Sequence, residues 1–192
     1  LVICDNGKEY VLKHAGSQEA GGTNILIAEY LSYLVAQRFN LPIPEYSLIK
    51  IGRKFLKTIE DENIYTMLKN SPDLCIGSVY IHGTLPFSDA FKIKSHDYKL
   101  LLKTIFGFDQ YLYNDDRFPE NPNLLFIPQR MELIVIDHSL AIWPILDYED
   151  TLDAPARARK KHILYPYVKG NMSYVSGLIK EVYDVTIKYF ID

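Results

Sequence analysis

The sequence predicts an α+β fold, with a small β-rich first part that contains one helix and a mainly helical second part. Short runs of apolar and β-branched residues alternate with turn residues near the amino terminus. Apolar residues recur at helical intervals over 25–39, 95–113 and 174–190. The 192 residues, 48% of them hydrophobic, suffice for a substantial core, in one unit or in two small lobes that share a cleft.

Composition and charge argue against several classes of function. A net charge of −3 gives no basic surface for nucleic acid, so no direct nucleic-acid binding is expected. We interpret the basic cluster at 157–161 as a solvated helix face, with a phosphate-binding patch as the alternative. The sequence has no run of about 18 apolar residues and no basic-then-apolar leader, so neither a membrane span nor a signal peptide is predicted. Cys4 and Cys75 lack metal-ligand spacing, and as reduced thiols they suggest a cytoplasmic location.

The first 24 residues predict a β-hairpin followed by a polar connection. Asn6-Gly7 lies between two β-type runs, and the second run ends at Lys13. The Gly-rich stretch 14–24 lacks the residue order of a phosphate-binding loop, so we interpret it as a connection closed by Thr23 or Asn24 as a helix cap. Because the sequence opens inside a β-type run without Met, we expect further residues upstream of Leu1.

The segment 25–82 is expected to form one helix and two strands. The helix 25–39 ends before Pro42, and its apolar residues at i, i+3, i+4, i+7 and i+8 predict one buried face. That predicted face consists of Ile27, Tyr30, Leu31, Leu34 and Val35. Strands are predicted around 46–51 and 74–81, whereas 55–69 has a mixed pattern that favours neither helix nor strand.

A set of polar residues follows the helix 95–113. Asp116 precedes Asn121 by five residues in a Pro-containing loop, and Asp137 ends an apolar run sixteen residues after Asn121. Two short strands, 121–127 and 132–136, lie between them. Phosphoryl transfer to a hydroxyl needs a carboxylate that orients the hydroxyl and oxygen ligands that hold Mg²⁺ against nucleotide phosphates. An Asx-rich turn and a strand-end cap are the alternatives for these residues.

These residues resemble the HipA-like kinases, a divergent branch of the protein-kinase-like fold. The resemblance extends over about 8–142 and rests mainly on Asn114-Asp115-Asp116-Arg117 with Asn121, followed by Ile136-Asp137-His138. It implies that Lys13 binds nucleotide phosphates and that Asp116 orients the acceptor hydroxyl. It also implies a carboxylate that positions Lys13, for which Glu29 is the first candidate and Glu19 the second. Asn121 and Asp137 are the implied Mg²⁺ ligands, and these two residues and Asp116 form the implied catalytic set.

The resemblance further implies a single kinase domain over 1–192, with an N-lobe at 1–82 and a C-lobe at 83–192. ATP and Mg²⁺ are the expected cofactors, and the γ-phosphoryl group is expected to pass to a hydroxyl, either of a protein Ser/Thr or of a small molecule. An antitoxin-like or regulatory protein is a further expected partner. Arg117 is expected to pair with a nearby carboxylate, and His138 either to hydrogen-bond the catalytic loop or to bind the metal.

Two features of the sequence depart from the family pattern. Many relatives have His where this chain has Phe118, and Phe neither donates nor accepts a hydrogen bond. A Gly-rich phosphate loop is not visible and is expected upstream of Leu1. The alternative function is therefore a pseudokinase, which works as a nucleotide-binding or protein-interaction module.

Overall fold

The computed structural model describes residues 1–15, 22–88, 96–142 and 160–191, and it has an α+β architecture. A 3₁₀ turn at Lys169–Asn171 joins the last two helices. No helix in these ranges is long and apolar enough to cross a bilayer. The elements in chain order are β1 Val2–Ile3, β2 Glu9–Lys13, α1 Thr23–Arg38, β3 Tyr46–Lys50, α2 Arg53–Leu56, α3 Glu62–Lys69, β4 Leu74–Val79, β5 Leu85–Pro86, α4 His96–Tyr111, β6 Leu124–Ile127, β7 Glu132–Val135, α5 Tyr165–Val168 and α6 Met172–Ile191.

A four-stranded antiparallel sheet has the order β1-β2-β4-β3. The predicted hairpin between β1 and β2 is confirmed. Its turn places Gly7 at a φ of 74°, a left-handed conformation that glycine adopts at little cost. Lys13 ends β2 opposite Ile76 of β4, so the pairing with β4 fixes the backbone position of this lysine.

Helix α1 packs on one face of this sheet, where Leu26 joins Tyr46 and Ile76 in a small apolar cluster. The predicted buried face of α1 is only partly confirmed: Tyr30 and Val35 pack against apolar clusters, but Ile27, Leu31 and Leu34 are each about two fifths exposed, at 42%, 42% and 41%. The residues that are buried instead are Leu26, Ala28, Glu29, Ser32 and Ala36. Apolar side chains lie on nearly every side of α1, so their spacing alone does not select the packed face.

The main core lies where α4 meets the second sheet and the carboxyl-terminal helices. This three-stranded antiparallel sheet has the order β5-β6-β7. The end of α1 also belongs to this core, because Phe39 packs edge-on against Phe108 of α4 with ring centroids 5.5 Å apart. The Val135 N–H donates to the Pro42 carbonyl at 2.8 Å, which ties β7 to the segment after α1.

Other sequence predictions have mixed outcomes. The strands near 46–51 and 74–81, the hairpin of β6 and β7, and the helices α4 and α6 are confirmed within a few residues. The stretch 55–69 forms the second half of α2 and all of α3. Helix α3 begins where the Asp61 carboxylate accepts hydrogen bonds from Asn63 N and Ile64 N. The residue that caps α1 is Gly22, not Thr23 or Asn24. Glu19, the first residue of the helix predicted over 95–113 and residues 157–159 of the basic cluster lie outside the described residues.

Candidate active site

Lys13 forms a direct ion pair with Asp137. The Nζ atom of Lys13 lies 2.7 Å from Asp137 Oδ1 and 4.0 Å from Glu29 Oε2. The two side chains of the closer pair are 23% and 32% exposed, so the pair is mostly withdrawn from solvent. The end of β2, the helix α1 and the segment after β7 therefore meet around one lysine.

Asp137 is held by its own local structure as well as by Lys13. Its backbone is left-handed, with a φ of 53°, and both the N–H and the Oγ of Ser139 donate to its Oδ1, at 3.3 and 2.8 Å. Burial opposes ionisation of this carboxyl, but the charge of Lys13 and the hydrogen bonds from Lys13 and Ser139 outweigh it, and the pKa of Asp137 is lowered. Asp137 is therefore an anion at neutral pH.

Glu29 is almost fully buried between α1, β3 and the segment after β7. Its Oε1 accepts a hydrogen bond from the Tyr46 hydroxyl at 2.5 Å, and its Oε2 accepts one from the His138 backbone N–H at 2.8 Å. Burial raises the pKa of Glu29, and Lys13 and Tyr46 offset only part of this effect. Lys13 thus has Asp137 as its near partner and Glu29 as a more distant one.

The carboxylate of Asp116 is oriented by two asparagine amides. Asn121 Nδ2 donates to Oδ1 at 3.1 Å, and Asn123 Nδ2 donates to Oδ2 at 3.0 Å. Asn123 Nδ2 also donates to the Asp116 carbonyl at 2.9 Å. The plane of this half-buried carboxylate is therefore fixed from both oxygens.

Phe118 takes part in the same loop through its backbone. Its N–H donates to the Asn121 carbonyl at 3.2 Å, and the Asn121 N–H donates back to the Phe118 carbonyl at 3.0 Å. This pair of bonds closes the loop between Asp116 and Asn121. Because the contacts are backbone ones, they do not require a particular side chain at 118.

Arg117 is buried beneath the loop and pairs with Asp109, as the sequence predicts for a nearby carboxylate. Its Nε lies 2.7 Å from Asp109 Oδ2, and both side chains are 0% exposed. Burial alone would raise the pKa of Asp109, but Arg117 and then His162 lower it well below its usual range. Arg117 Nη1 also donates to the carbonyls of Asn123 and Ile136.

The Asp116 loop and the Asp137 segment are connected by the backbone. The Ile136 N–H donates to the Asn123 carbonyl at 3.1 Å, just beyond the β6–β7 pairing. Arg117, the residue after Asp116, donates from Nη1 to the carbonyl of Ile136, the residue before Asp137. The segments that carry Asp116 and Asp137 are thus joined by one set of hydrogen bonds.

A sequence model of the family described as HipA-like kinase matches residues 1–169. The chain belongs to the HipA-like kinase family. This membership indicates a kinase-type phosphotransferase. A search among curated proteins gives no match.

The oxygen donors of this HipA-like kinase suit Mg²⁺ chemically. In the described ranges no group of three or more His, Cys, Asp or Glu side chains converges on one point, so the predicted ligand pair rests on one carboxylate and one amide. The hydrogen bonds that the structure describes at the Asp137 carboxylate go to Oδ1. Asn121 directs its Nδ2 toward Asp116, so its amide oxygen faces away from that carboxylate. Carboxylate and amide oxygens of this kind are hard ligands that Mg²⁺ prefers.

The His138 ring does not make the hydrogen bond to the catalytic loop that the sequence suggests. It is fully buried with its edge toward Phe108, and neither ring nitrogen has a partner among the described residues. Burial, reinforced by the positive charge of Arg117, lowers the pKa of His138 to about 3, so the ring is neutral. The contribution of His138 to the site is its backbone N–H, which donates to Glu29.

Several residues of the site are not found by sequence reasoning. Ser139 follows Asp137 by two positions, a spacing that is typical of local side-chain hydrogen bonds. Asn123 lies in the predicted loop and bonds Asp116, seven residues before it. Tyr46 and His162 have no local signal, because their bonds to Glu29 and Asp109 in the HipA-like kinase join segments that are distant in sequence.

Proposed function

We propose that this HipA-like kinase is an ATP- and Mg²⁺-dependent phosphotransferase that transfers the γ-phosphoryl group to a hydroxyl of a protein Ser or Thr. The observation that carries the proposal is the 2.7 Å pair between Lys13 and Asp137, which joins the end of β2 to the segment after β7. A lysine and a carboxylate at this distance supply positive charge for phosphates and an oxygen for a metal in one place.

The remaining residues support the transfer step. The acceptor hydroxyl bonds to the γ-phosphorus, the bond from that phosphorus to the β–γ bridging oxygen breaks, and ADP leaves with that oxygen. Asp116 aligns the hydroxyl and takes its proton, while Asn121 and Asn123 keep the carboxylate in place. Bound Mg²⁺, held by Asp137 and Asn121, would neutralise charge on the phosphate oxygens.

The proposal includes a two-lobed arrangement, with an N-lobe at 1–82 and a C-lobe at 83–192 around the nucleotide. In this arrangement Lys13 and Glu29 act from the first lobe, and Asp116, Asn121 and Asp137 from the second. The free thiols of Cys4 and Cys75 agree with the proposed cytoplasmic location.

A second candidate is a pseudokinase that acts as a nucleotide-binding or protein-interaction module, with an antitoxin-like protein as one class of partner. The same ion pair favours it in one respect. The charge of Asp137 is already compensated by Lys13, and its Oδ1 already accepts a hydrogen bond from Ser139. Both interactions compete with a cation for this carboxylate.

Thermal unfolding with and without ligands separates the two candidates from a chain that binds nothing. A ligand that binds only the folded state stabilises it by about 2.7 kcal/mol at a hundred times its Kd. We expect ATP with MgCl₂ to raise the Tm of the wild type more than ATP with EDTA, and Asp137→Asn to abolish the Mg²⁺-dependent part. An equal Tm in all conditions would overturn nucleotide binding.

Transfer itself is tested with γ-labelled ATP, by following phosphate on the chain, on protein acceptors and in water. Asp116→Asn is expected to lower transfer by roughly a hundredfold or more, because it removes the proton acceptor. Asp115→Asn is the matched control, since Asp115 is the neighbouring carboxylate and is exposed. Mg²⁺-dependent binding without transfer would favour the pseudokinase, and label on small hydroxyl compounds alone would replace the protein acceptor.

A further inference from the structure

Asp109 of α4 is a buried centre of hydrogen bonds beneath the catalytic loop. Its Oδ1 accepts from Asn114 Nδ2 at 2.8 Å and from Arg117 Nη2 at 3.2 Å. Its Oδ2 accepts from Arg117 Nε at 2.7 Å and lies 2.8 Å from His162 Nε2. All four side chains are at most 3% exposed, so no water competes for these contacts.

The proton on His162 is placed by the backbone. The Leu164 N–H donates to His162 Nδ1 at 3.0 Å, so this nitrogen is an acceptor and carries no proton. The Nε2 atom therefore carries the proton and donates it to Asp109. The neighbouring Ile163 N–H donates to the Arg117 carbonyl at 3.0 Å, so the segment before α5 contacts the loop twice.

These contacts flank Asp116 on both sides along the chain. Asn114, two residues before it, accepts a hydrogen bond from the Asp116 N–H at 3.3 Å while its own amide bonds Asp109. Arg117, immediately after it, is held by the same carboxylate. A displacement of the Asp109 carboxylate would therefore reach the backbone of Asp116 from both directions.

We propose that Asp109 and His162 are positioning residues for phosphoryl transfer: the segment that begins before α5 sets the orientation of Asp116 by donating a hydrogen bond from His162 to Asp109. The inference rests on the proposed function, because it assigns a task to residues that touch neither nucleotide nor acceptor. His162 lies 53 residues from Asp109 in sequence, so the catalytic loop adopts its working geometry only when this distant segment is docked.

Two substitutions at 162 separate the two hydrogen bonds of the imidazole. In His162→Gln the amide nitrogen occupies the place of Nε2, so the donor to Asp109 remains and the acceptor for Leu164 N–H is lost. In His162→Asn the amide reaches only as far as Nδ1, so the acceptor remains and the donor to Asp109 is lost. The two variants are therefore alike in polarity and close in size, and they differ in whether the hydrogen bond to Asp109 is kept.

The first readout is the kinetics of ATP turnover, either to water or to the chain itself. We expect His162→Asn to lower kcat by roughly ten- to a hundredfold with little change in the KM for ATP, because misplacement of a catalytic group affects the transfer step. His162→Gln is expected to keep most of the activity. Equal activity of both variants, or losses that follow only their Tm, would overturn the inference.

The second readout needs no activity and keeps this inference separate from the proposed function. Backbone hydrogen exchange is expected to speed up at Asp116 and Asn121 in His162→Asn and to stay unchanged in β4, whereas His162→Gln leaves all three slow. If the wild type transfers no phosphate, the proposed function fails, and this experiment still decides whether His162 positions the loop. Unchanged exchange at Asp116 in His162→Asn would overturn the inference.

Discussion

The Asp109 carboxylate and the Arg117 guanidinium are charged groups that are both withdrawn from solvent. Such a pair is expensive to break on one side only, because the remaining charge is buried without a partner, at a cost of about 3–5 kcal/mol. The guanidinium has further acceptors in the backbone carbonyls of Asn123 and Ile136, and His162 adds a donor to Asp109. The pair therefore stabilises one geometry of the loop that contains Asp116.

We expect the stability conferred by Asp109 to depend on pH with a defined sign. Its pKa is lower in the folded than in the unfolded chain, so its contribution is complete above the unfolded value of about 3.9 and is lost as the pH falls toward the folded value. The difference in free energy of unfolding between wild type and Asp109→Asn should thus shrink by about 1 kcal/mol between pH 5 and pH 3. Urea unfolding of both proteins at the two pH values measures it. A difference that grows on acidification would contradict this account.

Phe118 is expected to be replaceable by His without loss of the loop. The contacts that close the loop come from the backbone of Phe118 and Asn121, which a histidine also provides. Phe118→His should therefore change the free energy of unfolding by less than about 1 kcal/mol and ATP turnover by less than roughly tenfold. Phe118→Pro, which lacks the N–H, is the contrasting variant and should lose more stability and turnover. Losses in Phe118→His as large as those in Phe118→Pro would show that the Phe118 side chain matters.

At the scale of the element, α1 shows how tertiary packing decides what apolar spacing cannot. The helix is apolar on most of its surface, and its buried side includes Glu29 and Ser32 rather than the leucines at 31 and 34. Glu29 is buried because Tyr46 and the His138 N–H satisfy its two oxygens, and neither partner is visible from within α1.

A matched pair of leucines tests this orientation of α1. Leu26 is 6% exposed and Leu31 is 42% exposed. Leu26→Ala should lower the free energy of unfolding by about 3 kcal/mol, because it leaves a cavity against β3 and β4. Leu31→Ala should lower it by less than about 1 kcal/mol. Denaturant unfolding of both variants gives the comparison. A larger loss in Leu31→Ala than in Leu26→Ala would indicate that the face predicted from the sequence is the buried one.

For the whole molecule, the sequence predicts elements well where the signal is local. The Asn6-Gly7 turn, the strand that ends in Lys13 and the hairpin after Asn121 each follow from residues within a few positions. Asp116 and Asn121 are recognisable for the same reason, since they are five residues apart and in contact. The packed side of α1, the Tyr46–Glu29 bond and the His162–Asp109 bond depend on segments far apart in the chain, and no local pattern encodes them.

Removal of the lysine at the meeting point of these segments should separate the function of the molecule from its stability. Lys13→Met eliminates a partly exposed ion pair, so we expect a loss of about 1 kcal/mol or less in the free energy of unfolding. The rise in Tm caused by ATP with MgCl₂ should nevertheless disappear, because a phosphate-binding charge is lost. Lys8→Met, which removes the exposed pair with Glu45, is the control and should retain the ligand effect.

The bond between Glu29 and the His138 N–H spans 109 residues, and this has a consequence for synthesis of the chain. A ribosome makes α1 long before it makes His138, so during that interval Oε2 of Glu29 lacks the N–H that satisfies it in the finished protein. Phe39 likewise lacks its ring contact until Phe108 of α4 has been made. Domains fold as units once their segments are available, and contacts of such long range form late. The bond between Glu29 and His138 therefore forms only after translation has passed β7, whereas all four strands of the amino-terminal sheet are made earlier.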